Sequence, residues 1–301
     1  MTRDVIARYN AAISMKTVAL VTYKTSPALT PSDALLVEPL KKEHIHIIPT
    51  PWDDPAINWA QFDAIALRSC WNYHTKYKEF IDWTLQLDKL HAHVLNTTEI
   101  IRWNSEKTYL LDLEGRGASV VPTIIIKQNE KFSLKDILSK TGWSDIVIKP
   151  SIGADADGVF KVSQHEYESG EKKFQNIVQH NTVLIQPLMT EVMTDGEYSI
   201  VFLDGIYSHC VKKIPKKGEF RSNYQFGNTE RLVELSDNLL RQAYTIVRLV
   251  TPLPFYARVD GIIRNGEFVL MELELIEPHL FINFFPPAAI AFARALKALL
   301  Q

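Results

Sequence analysis

The sequence predicts an amino-terminal Rossmann-like α/β domain followed by two α+β subdomains. Strand and helix patterns alternate up to about residue 100, which is typical of a parallel α/β layer. Beyond that point short strands follow one another through tight turns, which indicates antiparallel pairing. The length of 301 residues also exceeds one typical domain of about 100 to 200 residues. We therefore predict three units, over residues 1–103, 104–185 and 186–301.

The composition is that of an ordinary globular protein, with 46% hydrophobic and 23% charged residues. The 33 basic and 35 acidic side chains leave a net charge of −2, which argues against a nucleic-acid partner and favours small molecules. Residues 1–14 lack the apolar core of a signal peptide, and we predict no transmembrane helix. Cys70 and Cys210 form no metal or disulfide motif. We expect a cytoplasmic monomer or homodimer that binds neither membranes nor nucleic acids.

The amino-terminal elements follow from β-branched runs and from the helical spacing of apolar residues. A capping signal, Pro31-Ser32-Asp33, precedes the first helix, and Phe80, Trp83 and Leu87 share one face of the second. The loop of residues 69–74 follows the third strand, at the edge where α/β sheets commonly bind ligands, although its Trp and Tyr are more typical of packing. The predicted strands are Thr17–Tyr23, His44–Ile48, Phe62–Arg68 and His93–Leu95, and the predicted helices are Ala34–Glu43 and Tyr77–Ala92.

After Asn104 the pattern changes to strands that are joined by turns. Asp204-Gly205 and Asn265-Gly266 are typical two-residue hairpin turns. The predicted strands are Val120–Ile126, Ile146–Lys149, Val159–Val162, Val183–Gln186, Tyr198–Leu203, Ile206–Ile214, Phe255–Ile263 and Phe268–Leu275. The predicted helices are Ser105–Leu113, Ser236–Leu249 and Ala288–Leu300.

Three carboxylates, Asp260, Glu272 and Glu274, stand on the last predicted hairpin, whose other residues are largely apolar. Glu272 and Glu274 are two residues apart and share a face, so a divalent cation, Mg²⁺ for oxygen ligands, would neutralise them. A plain two-residue turn would pair Asp260 with Met271 and turn Glu272 to the opposite face. A metal site therefore requires a β-bulge or a three-residue loop. The alternative is that these carboxylates face solvent or pair with the two arginines of the same hairpin.

Lys149 ends a predicted strand immediately before a loop of small residues that runs from Gly153 to Gly158. A lysine in this position can contact phosphate oxygens while loop amides cover them, although a surface lysine beside a turn is an equal alternative. The segment matches neither G-x-x-x-x-G-K-[ST] nor G-x-G-x-x-G, so two common nucleotide-binding folds are not supported.

A basic run over Val211–Asn223 contains Lys213 and Arg221. It could clamp an anion, although charge runs are more often solvated surfaces. Arg258 lies two residues before Asp260 on the same strand face. There it could either reach the charge that develops on a phosphoryl group or form a salt bridge.

Taken in this order, the segments resemble the ATP-grasp superfamily of carboxylate–amine ligases. The string Gly218–Asn223 is similar to that of glutathione synthetases and ribosomal-protein glutamate ligases. A closer resemblance, to the O-ureido-D-serine cyclo-ligase branch, rests on residues 68–73, 102–104 and 274–278. The segments that carry the superfamily resemblance are Asn104–Lys107, Ile148–Pro150, Ile185–Leu188, Asp195–Glu197, Gly218–Asn223, Arg258–Asp260 and Met271–Glu274.

The resemblance implies an ATP-grasp fold whose two α+β subdomains clasp ATP. It implies that Lys107 and Lys149 contact the ATP phosphates under the glycine loop, and that Glu191 or Glu197 binds the ribose hydroxyls. The adenine would be held by Gln186, Pro187 and Leu188.

The same resemblance implies that Asp260, Glu272 and Glu274 hold two Mg²⁺ ions, with Mn²⁺ as the alternative. Arg221 and Arg258 would stabilise the transferring phosphoryl group and the acyl phosphate, assisted by Lys213. Many relatives carry Asn where Glu274 stands, so this site has an additional negative charge.

The implied reaction begins when a substrate carboxylate attacks the γ-phosphate of ATP to give an acyl phosphate and ADP. An amine-type nucleophile then displaces phosphate, either from a second small molecule or, in a cyclisation, from the same one. The expected partners are small, amino-acid-like carboxylates and amines. One alternative is a phosphotransferase on a small metabolite, and another is a non-catalytic or regulatory nucleotide-binding protein. The presence of both lysines and all three carboxylates argues against the second alternative.

Overall fold

The computed structural model describes residues 15–154, 156–163 and 165–301. The expectation for residues 1–14 and the Asp155 position of the glycine loop lie outside these ranges. Within the described ranges the chain forms thirteen strands in three sheets and nine α-helices. The strands are β1 Lys16–Thr22, β2 Ile45–Pro51, β3 Ala64–Leu67, β4 Val94–Leu95, β5 Ile124–Ile126, β6 Asp145–Pro150, β7 Phe160–Ser163, β8 Val183–Pro187, β9 Glu197–Leu203, β10 Ile206–Ile214, β11 Thr229–Val233, β12 Tyr256–Arg264 and β13 Glu267–Glu274. The helices are α1 Val37–Lys42, α2 Tyr77–Lys89, α3 Thr98–Asn104, α4 Tyr109–Gly115, α5 Leu134–Thr141, α6 Tyr167–His180, α7 Glu191–Thr194, α8 Asp237–Arg248 and α9 Pro287–Leu299.

The first sheet is parallel, with the strand order β2-β1-β3-β4. Its central strands are buried because both faces are covered, as the apolar β1 sequence requires. One face packs against α2 through Trp52, Trp59 and Trp83. The other face shares a core with the carboxy-terminal helix α9.

The second sheet has the order β5-β8-β6-β7 and is antiparallel. Helices α5 and α6 cover one face of it, with Phe174 and Val178 of α6 in the shared core. The third sheet, β11-β10-β9-β12-β13, is also antiparallel. Its two faces contribute to different cores, one with α4 and α8 and the other with the parallel sheet and α9.

Buried polar side chains join the parallel sheet to the third sheet. The hydroxyl of Tyr256 on β12 donates to the carbonyl oxygens of Leu67 and Leu95 at 2.9 and 2.8 Å. The Asn96 amide donates to the carbonyl oxygens of Tyr256 and Leu275 at 2.8 and 2.7 Å. These contacts fix the carboxyl edge of the parallel sheet against the hairpin that carries the three carboxylates.

Helix α9 returns to the amino-terminal part of the chain. Phe292 and Leu296 of α9 share a core with Leu36 and Leu40, and the Lys297 ammonium lies 2.7 Å from a carboxylate oxygen of Glu43. The last described helix therefore completes the core of the first described sheet.

The predicted combination of an α/β layer with α+β units is confirmed. The sequence patterns predict no element over α3, α5, α6, α7 or β11, and the predicted start of β5 at Val120 is too early. Val120 forms only an isolated bridge to Leu270 of the third sheet, and the strand itself begins at Ile124, after Pro122. The predicted domain boundaries stay predictions, and β8 crosses the one at 185/186. Among the described residues no helix combines the length and the apolar character needed to cross a membrane.

Candidate active site

A cleft of about 880 Å³ lies where the three sheets meet. Many charged side chains line it, which is unusual for a packed interior and typical of a ligand site. They are Lys107, Lys149, Asp157, Glu197, Lys213, Arg221, Glu230, Arg258, Glu272, Glu274 and Glu277.

The β12–β13 hairpin places the predicted carboxylates opposite one another. Its turn is the predicted two-residue one, since Asn265 and Gly266 both have positive φ, 53° and 80°. A register shift after Asp260 nevertheless pairs Asp260 with Glu272 instead of Met271. This is the β-bulge that the sequence analysis required, and it turns Asp260, Glu272 and Glu274 to one face of the sheet.

Arg258 is buried between two of these carboxylates. Its Nε donates to both carboxylate oxygens of Asp260 at 3.0 Å, and its Nη2 contacts Glu274. Its Nη1 donates to the carbonyl oxygen of His279 at 3.2 Å. Burial opposes ionisation of Asp260, but Arg258 and Lys213 hold the pKa of its carboxyl below the ordinary value. The pairing of carboxylates with Arg258, left open by the sequence, is therefore present.

The electrostatics fit a divalent cation. Burial, together with repulsion from the neighbouring carboxylates, raises the pKa of Glu274 to about 8 even though Arg258 lies beside it. Negative charge here is thus not fully balanced, and hard carboxylate oxygens are the ligands that Mg²⁺ prefers. No group of three His, Cys, Asp or Glu side chains in the described part of the chain is arranged to hold a metal ion. Instead, Arg258 engages two of the hairpin carboxylates, and Lys107 lies 3.2 Å from the third, Glu272.

The two predicted phosphate lysines both lie near Glu272, and their charges lower the pKa of its carboxyl against the effect of burial. Lys107 Nζ donates to the Gly153 carbonyl oxygen at 2.6 Å. The Lys149 ammonium makes no hydrogen bond or ion pair with any described residue, and burial lowers its pKa. A desolvated cation without a partner is costly, so Lys149 is a ready binding group for an anion. Gly153 lines the cleft, whereas Gly158, with φ +71°, packs against Pro150 outside the lining.

Side chains from β9, β10 and the following loop form the opposite wall. Lys213 Nζ lies 2.8 Å from one Glu197 oxygen and 3.8 Å from Asp260, while the Ser222 hydroxyl bonds the other Glu197 oxygen. Arg221 stacks on the Phe226 ring at 3.5 Å and forms a double hydrogen bond with Glu219. The hydrogen bonds from Arg221 lower the pKa of Glu219 to about 2.

The predicted adenine segment Gln186–Leu188 lines the cleft at the end of β8. Gln186 Nε2 donates to Thr123 Oγ1 at 2.8 Å, which fixes the amide. Glu191 is not among the described residues that line the cleft, and its carboxylate pairs with Arg264 at 3.2 Å. Of the two candidate ribose ligands, only Glu197 therefore faces the cleft.

The loop after β3 forms the amino-terminal wall. Tyr73 is 5% exposed and packs on Phe80. Tyr73 and Trp71 also line the cleft, so Tyr73 both packs in the core and lines the cleft. Arg68 beneath them pairs with Asp33 at 3.0 Å and donates to the Pro278 carbonyl oxygen at 2.7 Å. Arg68 thus attaches the segment of residues 277–283 to the amino-terminal domain.

Several residues that line the cleft are not predicted as site residues from the sequence, namely Thr30, Ser32, His279 and Asn283. Ser32 stands in the capping signal Pro31-Ser32-Asp33, and no motif contains the other three. The available signal was their position as isolated polar residues beside a capping segment and inside an otherwise apolar run.

Two protein families match the chain. The D-cycloserine synthetase DcsG, N-terminal domain family matches residues 18–96, and the prokaryotic glutathione synthetase, ATP-grasp domain family matches residues 106–263. The cycloserine biosynthesis protein DcsG of Streptomyces lavendulae is 26% identical over 83% of this chain and 87% of its own. Glutathione synthetase of Nitrosomonas europaea is 24% identical over 56% of this chain and 51% of its own.

Solved structures agree with these sequence matches. The crystal structure of D-cycloserine synthetase DcsG superposes with a TM-score of 0.84 at 25% identity and covers 95% of this chain and all of that one. D-alanine–D-alanine ligase from Bacillus anthracis, complexed with ATP, has the same fold, with a TM-score of 0.66, 17% identity and coverage of 93% and 94%. Because the ATP-grasp domain match spans more than half of the 301 residues, the chain belongs to the prokaryotic glutathione synthetase ATP-grasp family and is an ATP-dependent ligase.

Proposed function

We propose that this ligase activates a small-molecule carboxylate as an acyl phosphate and transfers the acyl group to an amine-type nucleophile. The observation that carries the proposal is the Lys149 ammonium, which pairs with none of the described residues and lies in the same cleft as Arg258 and the three hairpin carboxylates. Anion-binding cations and hard oxygen ligands within one cleft are what a metal–nucleotide substrate requires.

ATP would lie along the wall formed by β6, β8 and β13. Its adenine would contact Gln186–Leu188, its ribose Glu197, and its phosphates Lys107 and Lys149. Lys107 already bonds the glycine loop, so closing of that loop over the phosphates would exclude water from the reactive intermediate.

The metal ligands would be Asp260, Glu272 and Glu274. Ligases of this fold use ATP with a divalent metal ion, and we propose two Mg²⁺ ions, with Mn²⁺ as the alternative, that offset the phosphate charge when bound. Phosphate oxygens would then bind Lys107 and Arg258 in place of these carboxylates, with which the two cations pair in the described structure.

Arg258 and Lys213 would offset the charge on the transferring phosphoryl group and the acyl phosphate, and Arg221 would approach from the opposite loop. The ion pairs described above hold all three cations in the lining of the cleft. Cations fixed before the reaction need little reorganisation as charge develops.

The names of the relatives, a cycloserine biosynthesis protein, glutathione synthetases and a D-alanine–D-alanine ligase, favour amino-acid-like substrates. The cycloserine biosynthesis protein matches 83% of this chain, and the DcsG N-terminal domain family matches residues 18–96. Intramolecular cyclisation is therefore the first reaction to examine, with joining of two molecules as the second.

The test measures ADP release with ATP and Mg²⁺ across amino acids, dipeptides and O-ureidoserine, with mass detection of products. A product one water lighter than its reactants, formed in step with ADP, would support the proposal. A phosphorylated metabolite would indicate a phosphotransferase instead, and ATP binding without turnover a non-catalytic protein.

Asp260→Ala should retain ATP binding and lose roughly 10²- to 10³-fold in turnover. Asp136→Ala, at an exposed position on α5, is the matched control and should retain wild-type turnover. Unchanged turnover in Asp260→Ala would refute the metal assignment.

A further inference from the structure

His279 stands in the cleft directly beside Arg258. Its carbonyl oxygen accepts the Arg258 Nη1 hydrogen bond at 3.2 Å. Its ring packs edge-on against Phe281, with ring centroids 4.5 Å apart, and Phe281 in turn lies 5.5 Å from the Arg258 guanidinium. The imidazole is therefore held next to the group proposed to bind the acyl phosphate.

The His279 ring has no hydrogen-bond partner among the described residues, and it lines the cleft. Burial, with the nearby charges of Arg258, Arg68 and Lys213, lowers its pKa to about 3. The ring is thus neutral near pH 7, with one nitrogen that can accept a hydrogen bond and one that can donate.

Several other acceptors in the cleft are already engaged. Glu197 is held by Lys213 and Ser222, and Glu230 accepts a hydrogen bond from Asn228 at 3.2 Å. The hairpin carboxylates are the proposed metal ligands, and the neighbouring lysine and arginines are cations that cannot take a proton. Of these groups, His279 is the neutral side chain whose ring nitrogens bond no described residue.

We propose that His279 is a catalytic base that takes the proton from the amine-type nucleophile as it attacks the acyl phosphate. This inference rests on the proposed function. In the step the C–N bond forms, the bond between the acyl carbon and the phosphate oxygen breaks, and the amine proton moves to the imidazole. The imidazolium then returns that proton to the departing phosphate, so the ring ends neutral and the products are the amide and hydrogen phosphate.

Occupation of the cleft would prepare the ring for this step. In the absence of substrate, Arg258 and Lys213 oppose a positive charge on the imidazole. Phosphate groups bound to the same two cations would offset their charge, so the ring would become more basic when the acyl phosphate is present.

The test uses His279→Asn to separate formation of the acyl phosphate from attack of the amine on it. His180→Asn, on the exposed end of α6, is the matched control. O-ureidoserine, or the panel member that gives a condensation product, is the carboxylate. Hydroxylamine serves as a nucleophile that traps acyl phosphates without a protein base. We expect His279→Asn to retain ADP release and hydroxamate formation within a few-fold, while the natural condensation product falls roughly 10²- to 10⁴-fold.

His279→Gln, which can form a hydrogen bond but cannot act as a base, should lose condensation to the same extent. Three results would each overturn the inference. They are restored condensation in His279→Gln, equal loss of hydroxamate and condensation product in both variants, and unchanged condensation. A wild-type protein that releases no ADP with any carboxylate would instead refute the proposed function, and this inference with it.

Discussion

The β-bulge at Asp260 can be tested by substitution of the glycine that follows it. An added Cβ at Gly261 would lie 2.4 Å from the Val269 carbonyl oxygen and 2.5 Å from the Phe268 ring. Ordinary contact begins at 3.4 Å, so β13 would have to move by about 1 Å (3.4 − 2.4) away from β12. The obstructing oxygen is backbone and cannot rotate away.

Gly261→Ala should therefore lower the free energy of unfolding by about 1–3 kcal/mol, the usual cost of overpacking. It should also displace Glu272 and Glu274 relative to Asp260, because all three lie on these two strands. A shift of about 1 Å at a reacting centre costs roughly 100-fold in turnover. Urea unfolding measures the first effect and Mg²⁺-dependent ADP release the second.

Gly115→Ala is the matched control, since a Cβ there meets nothing within 4 Å at the end of α4. It should leave turnover unchanged and alter stability by less than about 1 kcal/mol. Wild-type unfolding and wild-type turnover in Gly261→Ala would refute the view that the bulge fixes the geometry of the carboxylates.

Three further predictions concern the cations of the cleft and its wall. Lys149→Met should weaken ATP binding by roughly 10- to 150-fold, from about 1.5–3 kcal/mol for a charged hydrogen bond. It should not lower stability, because the ammonium forms no hydrogen bond or ion pair with a described residue; calorimetric titration and urea unfolding check both parts. Arg68→Met should cost about 3–5 kcal/mol in urea unfolding because Asp33 would be left buried and unpaired, and a second change, Asp33→Leu, should recover part of that loss. Glu219→Gln removes a carboxyl whose pKa is lowered in the folded state, so its stabilising contribution is present above about pH 4.5 and is lost as the pH falls toward 2. The difference in unfolding free energy between this variant and wild type should therefore shrink as the pH falls through that window. A difference that stays constant with pH would contradict this assignment.

Much of the site could be predicted because its residues lie close together in sequence. The spacing of Glu272 and Glu274 determined their shared face, and the register of a two-residue turn showed that a bulge was needed to bring in Asp260. The distribution of ion pairs could not be predicted this way. Glu191 pairs with Arg264, seventy-three residues further along the chain (264 − 191), and this contact depends on how the strands pack.

The elements that the sequence analysis missed are short or polar. Helix α6 buries Phe174 and Val178 at helical spacing, but polar and charged residues together make up most of the rest of it. Helix α5 has clear ends, an N-cap bond from Lys135 N to the Ser133 hydroxyl and a left-handed Gly142, and these two residues were available as signals. Strand β11 is an edge strand without a buried residue, so it lacks the alternation that marks a half-buried strand.

The position of α9 has a consequence for the order in which the chain folds during synthesis. Leu36 and Leu40 leave the ribosome early, but their partners Phe292 and Leu296 belong to the last described helix. Long-range contacts of this kind are slow to form and leave apolar surface exposed until they do. The amino-terminal sheet should therefore reach its native packing only after α9 has left the ribosome, and residues 15–103 expressed alone should aggregate.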